Sequence, residues 1–361
     1  MAIGLSFDAD NEVHLAYRVI DPPTSSVGRL ARETPEGWEM QEVGPDVEPW
    51  LAFVLRSTDE DHIVYSTEQK GGPAGAAVRH AVLTDGSWRI TEVGTANSPH
   101  VVDAVADSNG RLHASYYQCF SVPTCYPRDN GVVVSTLNAG GWVEERVAAS
   151  DEGAQVTPVA SSQFLAAGPN EVLGLLLNER QHNHENTQTG GALAYWQKGP
   201  DGWRRDVIAS AHGLVAYEGV LTFDATGEPI VAFVELVSPE PERCGKKDIC
   251  SREPFPAPVV VARRGASAWY FEEVEIVSNP WVWGVAGDSS GAIVIVYRVE
   301  HGTARLATNA CGTWAIANLD SSDIENAGLA LDRDGRPAVA YFLANQLRGL
   351  YLAKLEERFA E

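Results

Sequence analysis

The chain has 361 residues, 44% of them hydrophobic, with ten Trp, eleven Tyr and ten Phe, enough for a sizeable core. Its 49 acidic against 27 basic residues give a formal charge of −22, a surface that repels a phosphate backbone and an anionic membrane alike. No apolar run reaches the ~18 residues of a membrane-spanning helix, and Met1 leads straight into the first patterned segment, so no signal peptide remains in this sequence and one already cleaved stays open.

From Ile3, IGLSFDADNEVHLAYR reads as an apolar strand, a tight turn opened by Asp, and a second, alternating strand. The same register returns as VVDAVADSNGRLHASYY from Val101, GVLTFDATGEPIVAFV from Gly219, WGVAGDSSGAIVIVYR from Trp283 and AGLALDRDGRPAVAYF from Ala327. In every copy an Asp (Asp8, Asp107, Asp224, Asp288, Asp332) stands nine positions before an aromatic (Tyr17, Tyr116, Phe233, Tyr297, Tyr341). Two copies are degenerate: one from Trp50 keeps Tyr65 without the Asp, and one from Ala160 has Leu176 at the aromatic position.

Each pair is followed by a third strand, then by a Gly-rich turn and a strand opened by Trp38, Trp88, Trp142, Trp203, Trp269 or Trp314. No segment carries a helical period. The unit is four short antiparallel strands, repeated at 2–47, 48–97, 98–152, 153–210, 211–277, 278–322 and 323–361. Seven such units predict an all-β, seven-bladed β-propeller spanning residues 1–361 as one domain. After GLYLAKL only EERFAE remains, so a three-stranded last blade and closure by packing, without a shared blade, are expected.

The turns DADN, DSNG, DATG, DSSG and DRDG read as Asp-capped hairpins with Gly supplying positive φ. As calcium loops they lack the bidentate Glu of an EF-hand. Cys119 and Cys125 enclose FSVPT, and Cys244 and Cys250 enclose GKKDI. Equal short spacings in loops favour two local disulfides and an oxidising, extracytoplasmic compartment. The competing reading, zinc, fits the spacing less well. Cys311 is left over as a small hydrophobe. His14, His62 and His113 recur at the turn side of the second strand and read as half-buried strand residues.

The chain resembles the superfamily of secreted bacterial propellers with BNR or Asp-box-like repeats, which includes sialidases and several polysaccharide lyases. The turn-plus-Trp of that pattern survives, for example, as CGTW at Cys311 to Trp314. The resemblance implies a fold and no particular activity.

The insertions fall in connections between second and third strands: Val19–Gly28, Gln69–Ala77, Gln118–Asn130, Asn178–Gly191 and Leu236–Pro258. One face of the propeller therefore carries long loops. Candidates for the channel mouth on that face are His100, Tyr217, Glu218, Trp50, Trp281, Trp283, Glu325 and Asn326 from the innermost strands, with Arg18, Tyr117, Gln118, Asn178, Glu235 and Arg298 from the second strands. The structural residues repeat from copy to copy and these do not, which points to one asymmetric site. Aromatic faces mixed with a few polar groups suit a sugar or another small polar ligand; the competing reading is a plugged channel.

His100, Tyr117 and Tyr217 form an acid–base set, with Arg18 or Arg298 holding a carboxylate. This is similar to what polysaccharide lyases on this fold use. Glu218 and Glu235 are the alternative, a glycosidase pair. The three-arginine cluster of sialidases has no match. His182 and His184, with Glu179 and Glu185 near, form a weak metal candidate against a solvated loop tip. The functional expectation is a carbohydrate-active enzyme, lyase or hydrolase. The alternative is a non-catalytic glycan- or protein-binding module. No cofactor, nucleic-acid or membrane partner is expected, and the chain is expected to act as a monomer.

Overall fold

Seven antiparallel sheets follow one another along the chain. The structure, a computed structural model, describes residues 3–21, 25–45, 47–55, 60–67, 76–96, 102–119, 130–149, 154–155, 164–182, 188–212, 215–237, 256–310, 312–320, 323–343 and 350–355. Blade 1 is β1 (Ile3–Phe7), β2 (Val13–Asp21), β3 (Ser25–Thr34) and β4 (Gly37–Pro45). Blade 2 is β5 (Val47–Leu55), β6 (Asp61–Thr67), β7 (Ala76–Thr84) and β8 (Ser87–Ala96). Blade 3 is β9 (Val102–Ala106), β10 (Leu112–Cys119), β11 (Asn130–Asn138) and β12 (Gly141–Ala149).

In blade 4 the inner position is shared by β13 (Ala154–Gln155) and β14 (Phe164–Ala167), followed by β15 (Leu173–His182), β16 (Gln188–Gly199) and β17 (Gly202–His212). Blade 5 is β18 (Val215–Phe223), β19 (Pro229–Val237), β20 (Pro256–Arg264) and β21 (Trp269–Ser278). Blade 6 is β22 (Trp281–Gly287), β23 (Ile293–Arg298), β24 (Ala304–Thr308) and β25 (Ala315–Asp320). Blade 7 has three strands, β26 (Ile324–Leu331), β27 (Pro337–Leu343) and β28 (Leu350–Lys354), as its missing Trp strand predicts. Among the described residues no helix is long and apolar enough to cross a membrane.

The inner strands pack in sequence, β1 on β5, β5 on β9, β9 on β14, β14 on β18, β18 on β22, β22 on β26, and β26 back on β1. That closes the ring. At the seam the Arg333 N–H donates to Asn11 Oδ1 at 3.1 Å, and Lys354 pairs with Glu33 at 2.5 Å.

The Asp turns are hairpin caps. Oδ1 of Asp8, Asp107, Asp224, Asp288 and Asp332 each accepts two backbone N–H groups, from the residues two and four positions on, at 2.8–2.9 Å. Gly110, Gly227, Gly291 and Gly335 complete four of these turns at φ between 73 and 90°, and Asn11 does so at 67°. That backbone region is open to Gly and tolerated by Asn. The aromatic nine positions later turns into the core: Tyr17, Tyr65, Tyr116, Phe233, Tyr297 and Tyr341 are all buried, as is Leu176 in their place.

A feature of the outer strands was not anticipated. Five residues after each strand-opening Trp, the ladder skips one residue: Val43, Val93, Val147, Ile208, Val274 and Leu319. Each is a bulge that folds an apolar side chain inward. Val43 joins the cluster of Tyr65, Val93 that of Tyr116, Ile208 that of Phe233, Val274 that of Tyr297 and Leu319 that of Tyr341. The core therefore lies between blades, where one blade's bulge meets the next blade's aromatic. Gly94 is needed at such a contact, since a Cβ there would overlap the Tyr116 hydroxyl.

Two of the expected long loops are in part strand. In blade 1 the β2–β3 ladder runs on to Asp21 opposite Ser25, and in blade 4 β15–β16 runs on to His182 opposite Gln188. Cys125, Cys244, Cys250 and Cys311 lie outside the described residues, and Cys119 is described only as the last residue of β10.

Candidate ligand site at the channel mouth

Antiparallel pairing brings the start of each inner strand beside the end of the second strand, so both sets of candidates sit on one face. Trp281 opens β22 and pairs across the ladder with Arg298, the last residue of β23. The Arg298 guanidinium carbon lies 5.6 Å from the Trp281 ring centre, a cation–π contact between two half-buried side chains. On blade 5 Tyr217 pairs with Glu235. Asn178 of blade 4 donates from Nδ2 to the Tyr217 carbonyl oxygen at 2.6 Å, joining the two blades.

Burial divides the candidates. Tyr117, Tyr217, Glu218 and Asn178 are 8%, 1%, 3% and 0% exposed. The Tyr217 ring packs edge-on against Phe233 at 6.2 Å, and burial, with the Glu235 charge adding, pushes its hydroxyl up to about 12. Trp283 falls in the skip between Val282 and Gly284 and packs against the core shared by blades 6 and 7. Arg18, Gln118, Glu235, Trp281, Arg298 and Asn326 are half-buried and Glu325 is exposed. Asn326 Oδ1 accepts the Ala327 N–H at 2.8 Å. His100 and His184 lie outside the described residues, and Trp50 and His182 are described only as members of β5 and β15. Glu179, near that histidine pair in sequence, is held by Arg205 and by Trp196 Nε1 at 3.1 Å. Among the described residues no group of three or more His, Cys, Asp or Glu is placed to hold a metal.

One residue the sequence reading passed over is Asp103. Its Oδ2 accepts the Leu165 N–H of the next inner strand at 2.7 Å, and its Oδ1 accepts the Ala104 N–H at 2.8 Å. An inner strand is the edge of its blade, so a N–H not used in the ladder faces the channel axis. The carboxylate therefore lies on the channel wall between blades 3 and 4. It keeps some accessible surface, yet it is encircled closely enough that burial pushes it up to about 7, against the pull of those two N–H bonds. The signal was present: the other Asp-turn copies carry Gly4, Val220, Gly284 and Gly328 at this register.

The turn-side histidines are buried, each with acidic or polar partners. His14 lies 2.7 Å from Asp61 and 3.3 Å from Asp8, and Asp61 also meets Arg32. His113 lies 3.2 Å from Asp107 and 2.9 Å from Thr136. His62 and His80 stack at 5.1 Å, with Nδ1 of the first 2.8 Å from Nε2 of the second.

No family model matches the chain, and no curated protein matches it. Among solved structures the chain is similar to a polysaccharide lyase, an ulvan lyase bound to -[GlcA(1-4)Rha3S]-, with 11% identity, TM-score 0.62, and coverage of 97% of this chain and 90% of that one. It is similar to the propeller domain of the trilobed protease from Pyrococcus furiosus, which has an open velcro topology (10% identity, TM-score 0.54, 98% and 94% covered). A Dyadobacter fermentans protein of unknown function matches at 11% identity, TM-score 0.51, covering 84% and 92%. The chain is a seven-bladed propeller. At these identities the likeness is one of fold, so the chemistry of this propeller has to come from its own mouth residues.

Proposed function

We propose that the mouth of this propeller, on the face of the second-to-third-strand connections, binds an acidic saccharide. The observation that carries this is the Arg298–Trp281 pair: an aromatic face for a sugar ring, with a cation beside it for a carboxylate. Arg18, Gln118, Glu235 and Asn326 add half-buried polar groups in the same ring of strand ends. The ulvan lyase neighbour, bound to a GlcA-containing saccharide, supports the ligand class.

The enzyme reading, a polysaccharide lyase or glycoside hydrolase acting outside the cytoplasm as a monomer with its two local disulfides, rests on proton transfer at the channel. Asp103, with a carboxyl near 7, can take or give a proton near neutral pH. His100, a candidate acid or base from the sequence, lies outside the described residues. In the lyase form a base removes the proton beside the carboxylate that Arg298 neutralises, the double bond forms as the bond to the leaving oxygen breaks with its electron pair on that oxygen, and an acid returns a proton to it. The second reading is a non-catalytic binding module. It is favoured by the burial of Tyr117, Tyr217 and Glu218, which present almost no surface to a ligand.

The test is a screen of acidic polysaccharides, reading thermal shift and the absorbance near 235 nm of an unsaturated uronate, followed by a reducing-sugar assay. Turnover that falls at least a hundredfold in Asp103→Asn supports the enzyme. A thermal shift without turnover selects the binding module. No shift with any acidic saccharide overturns the proposal.

A further inference from the structure

On the opposite face, at the rim between blades 4 and 5, there is a cavity of about 460 Å³ that the mouth chemistry does not use. It lies beside the β16–β17 and β20–β21 turns and is lined by Gln197, Arg204, Arg205, Asp206, Arg264 and Trp269, with Tyr195 behind them. In a chain where acidic residues outnumber basic ones, 49 to 27, two arginines from facing blades, Arg204 and Arg264, converge on one hollow.

The hydrogen-bond inventory of that hollow is unbalanced. Arg264 donates from Nη1 to Gln197 Oε1 at 3.0 Å and stands 3.4 Å from Asp206 through Nε, which leaves Nη2 without a partner among the described residues. Arg205 lines the hollow only from β17 itself: its side chain turns to the other face of the strand, where Nε and Nη2 bond the buried Glu179. Among the described residues Arg204 is tied only to Asp201, through Nη2 at 3.1 Å. With its Oε1 taken, Gln197 still has its amide N–H groups to give. The one acidic lining residue, Asp206, already accepts from Trp269 Nε1 at 3.2 Å. The Tyr195 hydroxyl, buried behind this wall, has no hydrogen-bond partner among the described residues. Unused donors thus outnumber unused acceptors, and they are guanidinium donors, which match a planar oxyanion. The cavity volume suits a monosaccharide or a small organic acid. Interblade ties explain the contacts of Arg264, Asp206 and Trp269. They do not explain a hollow ringed with spare donors.

We infer that this interblade cavity is a second binding site, separate from the mouth, that takes a small carboxylate ligand. Recognition runs through Arg204 and Arg264.

The experiment is calorimetric titration of the full chain at low salt with glucuronate, succinate and glucose, for the parent, Arg204→Ala, Arg264→Gln and Arg298→Ala. The expected result is saturable one-to-one binding of a carboxylate and none of glucose. The affinity should fall about tenfold in Arg204→Ala and be unchanged in Arg298→Ala. Arg204 is exposed and, among the described residues, held only by Asp201, so its loss leaves the fold intact even if Arg264→Gln loosens the blade contact. Binding of both acids assigns a general carboxylate site, and binding of glucuronate alone assigns an acidic sugar. Binding lost in Arg298→Ala but kept in Arg204→Ala would place the ligand at the mouth and overturn the inference. Absence of saturable binding by either acid would do the same.

Discussion

Nδ1 of His14 stands 2.7 Å from Oδ1 of Asp61, and that contact runs from blade 1 to blade 2. Asp61 is wholly buried, and its other oxygen meets Arg32. Removing a buried carboxylate leaves its cationic partner in a poor dielectric. Asp61→Ala is expected to lower the unfolding free energy by about 3 kcal/mol, read from urea denaturation near pH 6. A loss within the range of ordinary surface substitutions would mean that the contact does not join the blades.

His14 and His113 should tilt the stability curve in opposite directions. For His14, burial favours loss of the proton, but the bond to Asp61 and its charge, with Asp8 adding, outweigh it and raise the pKa. For His113, burial prevails over Asp107 and the pKa is lowered. The His14 contribution is complete below the ordinary histidine value of about 6.5 and is lost as pH rises through its own higher value. The His113 penalty is absent above about 6.5 and grows as pH falls through its lower value. His14→Gln should flatten the curve on the alkaline side and His113→Gln on the acid side, measured by denaturation at a series of pH values. Curves parallel to the parent would refute these assignments.

Two tyrosines make a paired test of hydrogen bonding in the interblade core. The Tyr297 hydroxyl donates to Glu275 of the preceding blade at 2.7 Å, whereas the Tyr195 hydroxyl is buried without a partner among the described residues. Tyr297→Phe should cost about 1.5 kcal/mol, and Tyr195→Phe should be neutral or stabilising by up to ~1 kcal/mol. Equal losses in thermal unfolding would show that packing, and not hydroxyl pairing, sets both values.

At the mouth, Trp281→Ala and Arg298→Ala should each weaken binding of whichever acidic saccharide the screen finds by about fivefold to thirtyfold, the scale of a desolvated cation–π contact. Because the two residues act together, the double variant should lose less than the product of the single effects. Affinity unchanged in both single variants would move the ligand elsewhere.

The repeat could be read from the sequence because its turn has strict chemistry. An acceptor must follow the first strand, and a residue tolerant of positive φ must come three positions later, as Asp332 and Gly335 show. The bulges at Val43 and its equivalents leave no such mark, since a skipped residue is visible only once two strands are laid side by side. The same blindness governed the site. The candidate strand ends were brought together on one face, but a slip of one residue sends a side chain to the other side of its sheet. Trp283 went into the blade 6–7 core through the skip at Val282, while Trp281, two residues earlier, came to rest beside Arg298. Asp103 needed a neighbouring blade to become visible, because its partner Leu165 is remote in sequence.

The unequal heights of the hairpins around the mouth set how a long molecule can reach it. In blade 4 the paired strands climb to His182, whereas in blade 6 β23 ends at Arg298 and the chain turns back at once, with the Val299 N–H bonded to the Thr303 carbonyl at 2.9 Å. The connection that follows Arg298 therefore raises no wall over the Trp281 ring. A polymer seated on that ring can leave over the low rim of blade 6 with its remaining units in water. Lengthening the chain in that direction should then change neither affinity nor turnover, whereas bulk added toward blade 4 meets a barrier.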